Sequence, residues 1–294
     1  MIKASDINTF FNEQLIGDGV SFAKLAMVNS PHAATLSFID DVKYLEQLNA
    51  NSNITGVFAT EAIAPQIVGK DVLLVSDPRY YFFTFFNEWA ARTAARWESR
   101  ISKTAVIHPR AYIAEYNVII GDNTVIGPNV SILPDVEIGK GCTVQANAVI
   151  GSVGFEYKRT SRGVVPVIHD GKVIIGDKVE VGANTAIDKG FSFRDTIIGD
   201  ETKIDNLVHI AHAVHIGKAA FVIASAMVAG SVTIGDAVWV GPNANIVPGV
   251  TIGNNAFISL GSVVTRSVEP GAHVTGNFAI PHELFLRNLK KSLS

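Results

Sequence analysis

The chain has 294 residues, 48% hydrophobic and 17% charged, a balance that suits about two folded domains and excludes a disordered or fibrous polypeptide. A net charge of −3 without a long Lys or Arg run gives no footprint for nucleic acid or an anionic membrane, and no stretch nears the roughly 18 apolar residues of a membrane span. A single cysteine, Cys142, excludes an intrachain disulfide framework, and with the polar start MIKASDINTF it predicts a cytoplasmic protein.

Residues 1–101 show no short repeat. They alternate helical and strand-like patterns: SDINTFFNEQL, then VFAT and DVLLVSD beside turn residues, then RYYFFTFFNEWAARTAARW. This alternation predicts a small α/β domain. Apolar side chains fall on several sides of the FFTFFNEWAARTAA helix, so its aromatics read as packing rather than as a cofactor site.

Residues 102–275 obey a different rule. From about Ile107 a branched aliphatic recurs, slips by one residue near Ile119, and then holds every sixth position from Ile120 to Ile150. It breaks at Gly151 and resumes in phase at Ile175, which makes residues 151–174 an excursion; Gly154, Phe155 and Pro166 in it suggest an ordered flap. Ile175, Val181 and Ile187 follow, then an eleven-residue step through Lys189, Gly190 and FSFRD, then an unbroken run from Ile198 to Val264. A period of six is neither 3.6 nor 2, so it predicts short strands joined by tight corners, the pattern of a parallel β-helix.

A second small or apolar residue sits two places before each aliphatic, so both point inward and the residue between points out. Cys142, two before Val144, is then a buried structural thiol. Three sixes close a coil of eighteen residues, and the twenty-one sixes counted from Ile120 give seven coils. Residues 276–294 end the chain as a short helix from near Pro281 with basic residues at its C-terminus.

Chemistry is expected where the rod is interrupted or where polar groups crowd a corner. DNLVHIAHAVHIG places His209 and His215 on outward positions and His212 in the corner after Ile210. His212 suits a general base, with Asp205 and Asn206 just upstream as orienting groups. Gly230 lies eighteen residues later, one coil along and about 5 Å away by strand stacking, where a bare backbone N–H can serve an oxyanion.

GANTAIDKG, DTIIGDETKIDNLVHIAHAVHIG and MVAGSVTIG together resemble the left-handed β-helix acyltransferases, most closely the UDP-3-O-(3-hydroxyacyl)glucosamine N-acyltransferases of lipid A biosynthesis. LIGDG at 15–19 and LSFIDDVKYLEQL at 36–48 are similar to that family's nucleotide (uridine)-binding domain, and GSVGF at 151–155 to its Gly-x-Asp-Gly-Phe loop. The resemblance implies a left-handed coil and a homotrimer with sites between rods. It also implies N-acylation of a nucleotide-linked amino sugar from an acyl carrier protein or coenzyme A thioester, with no bound metal or cofactor. In that scheme His212 is the base, Asp205 its carboxylate partner and Gly230 the oxyanion amide. Phe38 and Tyr44 sandwich uracil beside Asp41, while Asn206 and the loop residues Gly154 and Phe155 contact substrate.

The chain departs from the family pattern at Asp41 (usually Asn), at Val153 (Asp in the loop), in PNANIVPGVTIG, which lacks a second corner histidine, and in its short tail. These leave a coenzyme A-dependent short-chain transfer to a deoxyamino sugar as one alternative. A γ-class carbonic anhydrase-like zinc enzyme is another, although that class pairs histidines five apart and here the spacings are three and three.

Overall fold

The computed structural model describes residues 1–276 and 280–292. Strand β1 (Ile2–Lys3) pairs antiparallel with β2 (Ser21–Phe22) around helix α1 (Ala4–Phe11). Four parallel strands then form one sheet in chain order, β3 (Lys24–Leu25), β4 (Thr35–Phe38), β5 (Ile54–Ala59) and β6 (Asp71–Leu74), with α2 (Leu45–Ala50) as one crossover. Helix α3 (Pro78–Thr93) starts at Asp77, whose carboxylate accepts the Tyr80 amide at 3.0 Å, with proline in its first turn. Phe82, Phe83, Phe85 and Phe86 of α3 are all buried in one cluster, which also takes in Val167 and Phe191 from the rod. Those aromatics hold the two parts of the chain together.

The rod is three parallel sheets of eight, nine and eight strands among the described residues. Ile210, Val228, Ile246 and Val264 pair in sequence, so successive rungs are eighteen residues apart. Inward Val208 and Ile210 are buried while His209 between them is exposed, and the same alternation runs the length of the core. The corners repeat as strictly as the strands: Leu207, Ala213, Ala219, Ser225, Ser231, Ala237 and Asn243 all have φ between 53° and 62°. For residues with a Cβ that left-handed turn costs roughly 1–2 kcal/mol each, offset by the aliphatic it aims into the core.

The rod is longer than the aliphatic count predicts. Strands Arg100–Ile101, Val106–Ile107 and Tyr112–Ile113 add a coil before Ile120, and His273–Val274 adds a rung after Val264. Ile101, Ile107 and Ile113 keep the six-residue spacing, and a one-residue slip separates them from the run that starts at Ile120. Cys142 is buried as expected, its thiol pointing at the Gly176 carbonyl at 3.1 Å, and burial pushes its pKa up. Helix α4 (His282–Ser292) follows Pro281, and among the described residues no helix is long and apolar enough to cross a membrane.

Both interruptions of the repeat leave the prism at one edge, where the sheet containing Val149–Val153 turns into the sheet containing Val173–Ile175. The first forms an antiparallel hairpin, Tyr157–Thr160 with Gly163–Pro166, not a loose loop. Asn87 of α3 clamps it by donating to the Pro166 carbonyl at 2.7 Å and accepting the Ile168 amide at 2.8 Å, and Asp77 accepts the Ser161 amide at 2.6 Å. The second, residues 190–195, carries Phe191 and Arg194. His212 and then Gly230 occupy the same edge on the next two coils.

Candidate active site

His212 lies against Gly230 so closely that a methyl group built on the glycine falls 2.4 Å from Cε1 and 2.6 Å from Nε2 of the imidazole. No residue but glycine leaves that ring its place. The corner amides along the rod differ in their hydrogen bonding. At the equivalent corner position, the amides of Asn206, Lys218, Ala224 and Asp236 are each capped by an Asp or Asn side chain, and positions 242 and 248 are proline. Among the described residues, the Gly230 N–H has no such cap, nor has that of His212 in the same series; Ser231, next to Gly230, donates to the His212 carbonyl at 2.9 Å. A free backbone donor beside an imidazole is the pairing that acyl transfer needs: one group to take a proton, one to hold an oxyanion.

The interruptions supply the walls. Glu156, just before the hairpin, sets Oε2 3.3 Å from His212 Nε2, both side chains about 15% exposed (14% and 15%). Gly154 lets the chain pass the ring, since a Cβ there meets His169 Nε2 at 3.0 Å and His212 Cδ2 at 3.2 Å. His169 itself is buried, with Nδ1 3.1 Å from the Val167 carbonyl and its ring 5.8 Å from that of His212. Asp188 accepts the Ser152 hydroxyl at 2.6 Å and lies 3.6 Å from His209 Nε2. Arg194 stacks on Phe191, donates to the Ser231 hydroxyl at 3.0 Å, and so sets a half-buried cation beside the site.

Burial lowers the His212 pKa, with Arg194, Lys158 and His209 acting in the same direction and Glu156 opposing them. The ring is therefore neutral at pH 7, the form that accepts a proton. His169 is lowered too, first by burial and then by His212. The three histidines of DNLVHIAHAVHIG do not converge: His215 is exposed and its Nε2 reaches the Asp195 carbonyl at 3.2 Å. Among the described residues no group of three or more His, Cys, Asp or Glu is arranged to hold a metal ion.

Asp205 is not brought to His212 within the chain. It follows the strand Lys203–Ile204, one prism edge earlier, and its carboxylate caps the amides of Asn206 at 2.7 Å and Ala224 at 3.2 Å. Asn206 caps in the same way, accepting the Ala183 amide at 2.6 Å. Both are corner staples. Asp205→Ala is expected to remove about 0.5–2 kcal/mol of stability, as loss of a backbone cap does, and to leave the acid limb of the pH–rate profile in place; denaturant unfolding and a kcat/KM profile measure the two. Phe155 points away, 88% exposed, against Tyr157.

A second cavity of about 400 Å³ opens beside this site, lined in part by Phe38, Tyr44, Asp40, Arg79, Lys158 and Arg194. Phe38 is anchored on Phe82 and Phe83 at 4.9 and 5.3 Å, while Tyr44 is 43% exposed. Asp41 is absent from the lining: its carboxylate accepts the Lys43 amide at 3.0 Å and pairs with the Lys43 ammonium at 2.8 Å, capping the short helix at Val42–Tyr44. Asp40, paired with Arg79 at 2.7 Å, takes the place by the cavity.

The bacterial transferase hexapeptide (six repeats) model matches residues 117–152 and 231–266. The UDP-3-O-acylglucosamine N-acyltransferase of Campylobacter lari is 34% identical over 95% of this chain and 93% of its own length. The chain belongs to that family. The enzyme of the same name from Pseudomonas fluorescens is 30% identical over 95% of this chain and 87% of its own. A solved UDP-N-acetylglucosamine acyltransferase from Campylobacter jejuni aligns with a TM-score of 0.50 at 26% identity, over 60% of this chain and 72% of that one. Membership makes the rod a left-handed parallel β-helix and the protein an acyltransferase by kinship.

Sequence reasoning missed Glu156, His169, Asp188 and Arg194, which the structure gathers near His212. One signal was present: both breaks in the sixfold beat, at 151–174 and 189–195, come after the third strand of a coil, as does His212. Counting strands by threes assigns all of them to one edge.

Proposed function

We propose that the protein is a homotrimeric, cytoplasmic N-acyltransferase acting on the amine of a nucleotide-linked amino sugar, with UDP-3-O-acylglucosamine, named for its relatives, as first choice. The donor is a thioester of acyl carrier protein or coenzyme A. The sugar amine attacks the thioester carbonyl and forms the C–N bond while His212 takes the amine proton. The Gly230 N–H holds the oxyanion. Collapse breaks the C–S bond, and the proton passes to the departing thiolate, leaving an amide and a free thiol. One observation carries this reading above the others: a largely buried imidazole, neutral at pH 7, rests against a glycine whose amide has no hydrogen-bond partner among the described residues.

A trimer with sites in the clefts between subunits, as the family resemblance implies, would bring a neighbouring rod to the edge bearing His212. Phe38 and Tyr44 are assigned to the pyrimidine base, with Arg79 and Lys158 near enough in the same cavity to meet phosphates. Tyr44→Ala is expected to raise the sugar-nucleotide KM roughly 2–10-fold with little change in kcat, a lost stack being worth about 0.5–1.5 kcal/mol. Tyr44 is the cleaner probe, because Phe38 also packs into the domain core.

The test is a panel of UDP and dTDP amino sugars against long-chain acyl carrier protein and short-chain coenzyme A thioesters, run on chelator-treated protein and read by mass spectrometry. An N-acylated sugar nucleotide from one pair supports the reading. Turnover only with a dTDP deoxyamino sugar and a short coenzyme A thioester moves it to the alternative substrate class, and no product from any pair rejects it.

A further inference from the structure

We infer that Glu156, delivered by the hairpin excursion, is the residue that positions His212 and balances the positive charge its ring acquires when it takes a proton. This rests on His212 being the base. The sequence offers Asp205 for that role, but Asp205 is committed to two backbone amides at another edge. Glu156 has the geometry that Asp205 lacks. Its Oε2 lies 3.3 Å from His212 Nε2, and its Oε1 is held by the Lys158 ammonium. Lys158 in turn sits over the Phe83 ring at 4.8 Å, so the carboxylate is fixed through the hairpin to helix α3. A carboxylate pinned on one oxygen presents the other in a single direction, as a positioning residue must.

The surroundings explain why such a partner is needed. His212 faces Arg194 from the second interruption, Lys158 from the hairpin, and His209 from its own strand, all of which disfavour an imidazolium. His169 also packs near it, at 5.8 Å between rings. Against these stands Glu156; the oxygens of Asp188 are occupied by Ser152 and directed to His209. Glu156 is the charge that most favours the protonated ring. Without it the imidazole is a weaker base in a site already short of negative charge.

The experiment is an NMR titration of the histidine ring protons in the full-length protein without substrate, with the His212 signal assigned by its loss in His212→Ala. Glu156→Gln keeps the size and removes the charge; Glu156→Asp keeps the charge on a shorter arm. The His212 midpoint is expected to fall by about one pH unit in Glu156→Gln and by less in Glu156→Asp. The acid limb of kcat/KM moves by the same amount, with kcat lowered roughly 10–100-fold. An unmoved His212 titration in Glu156→Gln overturns the inference, and a purely structural role predicts that result. If His212→Ala stays active while the titration shifts, the pairing stands and the assignment of the base fails. If His212→Ala is inactive and the titration does not shift, the reverse holds.

Discussion

His212→Ala is expected to lower kcat by roughly 10²–10⁴ while the protein stays folded, because general-base catalysis by a positioned imidazole contributes that much. The fold survives because His212 lies in a corner, outside the inward aliphatic set that forms the rod core. Its burial gives the loss a recognisable pH signature. The folded-state pKa of His212 lies below the ordinary value of about 6.5. The wild-type kcat/KM therefore falls only as pH drops through a value below that ordinary one, whereas the residual rate of the variant lacks this limb. Stability follows the same sign. A histidine kept neutral by burial contributes stability that is present above the unfolded pKa and lost as pH falls through the folded one. His169 is shifted in the same direction and remains in the variant, so His212→Ala removes part of the acid sensitivity of folding, not all of it. Near-normal turnover from a folded His212→Ala protein ends the assignment.

The rod was legible because its physics is periodic. An inward aliphatic every sixth residue is a requirement on every coil, so a single sequence states it many times over, and the strand pairs at Ile210, Val228 and Ile246 obey it. The same regularity brought His212 to Gly230, since two residues eighteen apart at a corner must lie on adjoining rungs. What could not be read lies in the interruptions. Glu156, His169 and Arg194 sit on segments with no period, and their positions depend on how the hairpin is clamped by Asn87 and Asp77 and how Phe191 enters the aromatic core. Asp205 lies away from His212 within the chain for a related reason. It is seven residues from His212 in sequence, but a corner every six residues puts it on a different edge, where corner amides compete for its carboxylate. Asp41 likewise caps a helix that sequence pattern alone did not resolve from its neighbour Asp40.

Gly230→Ala separates the two duties assigned to that glycine. The substitution keeps the amide and removes only the space. Gly230 is not among the glycines with positive φ, so alanine takes the backbone without strain, and the left-handed turn belongs to Ser231 at φ 62°. The new methyl group instead meets the imidazole at 2.4 and 2.6 Å, well inside contact distance. The ring has little room to yield, with Gly154 on one side, Phe191 at 5.3 Å between ring centres, and Glu156 at 3.3 Å. Overpacking of this kind costs typically about 1–3 kcal/mol of stability, and the displaced base is expected to lower kcat roughly 10²-fold or more. The double variant decides the route. If the methyl group acts by pushing the imidazole aside, then in the His212→Ala background, where the ring is gone, Gly230→Ala changes the residual rate by no more than about threefold, the strong non-additivity expected of residues in contact. Additive losses would mean that the methyl group blocks the thioester itself, and would place the acyl carbonyl directly over the Gly230 Cα rather than at its amide.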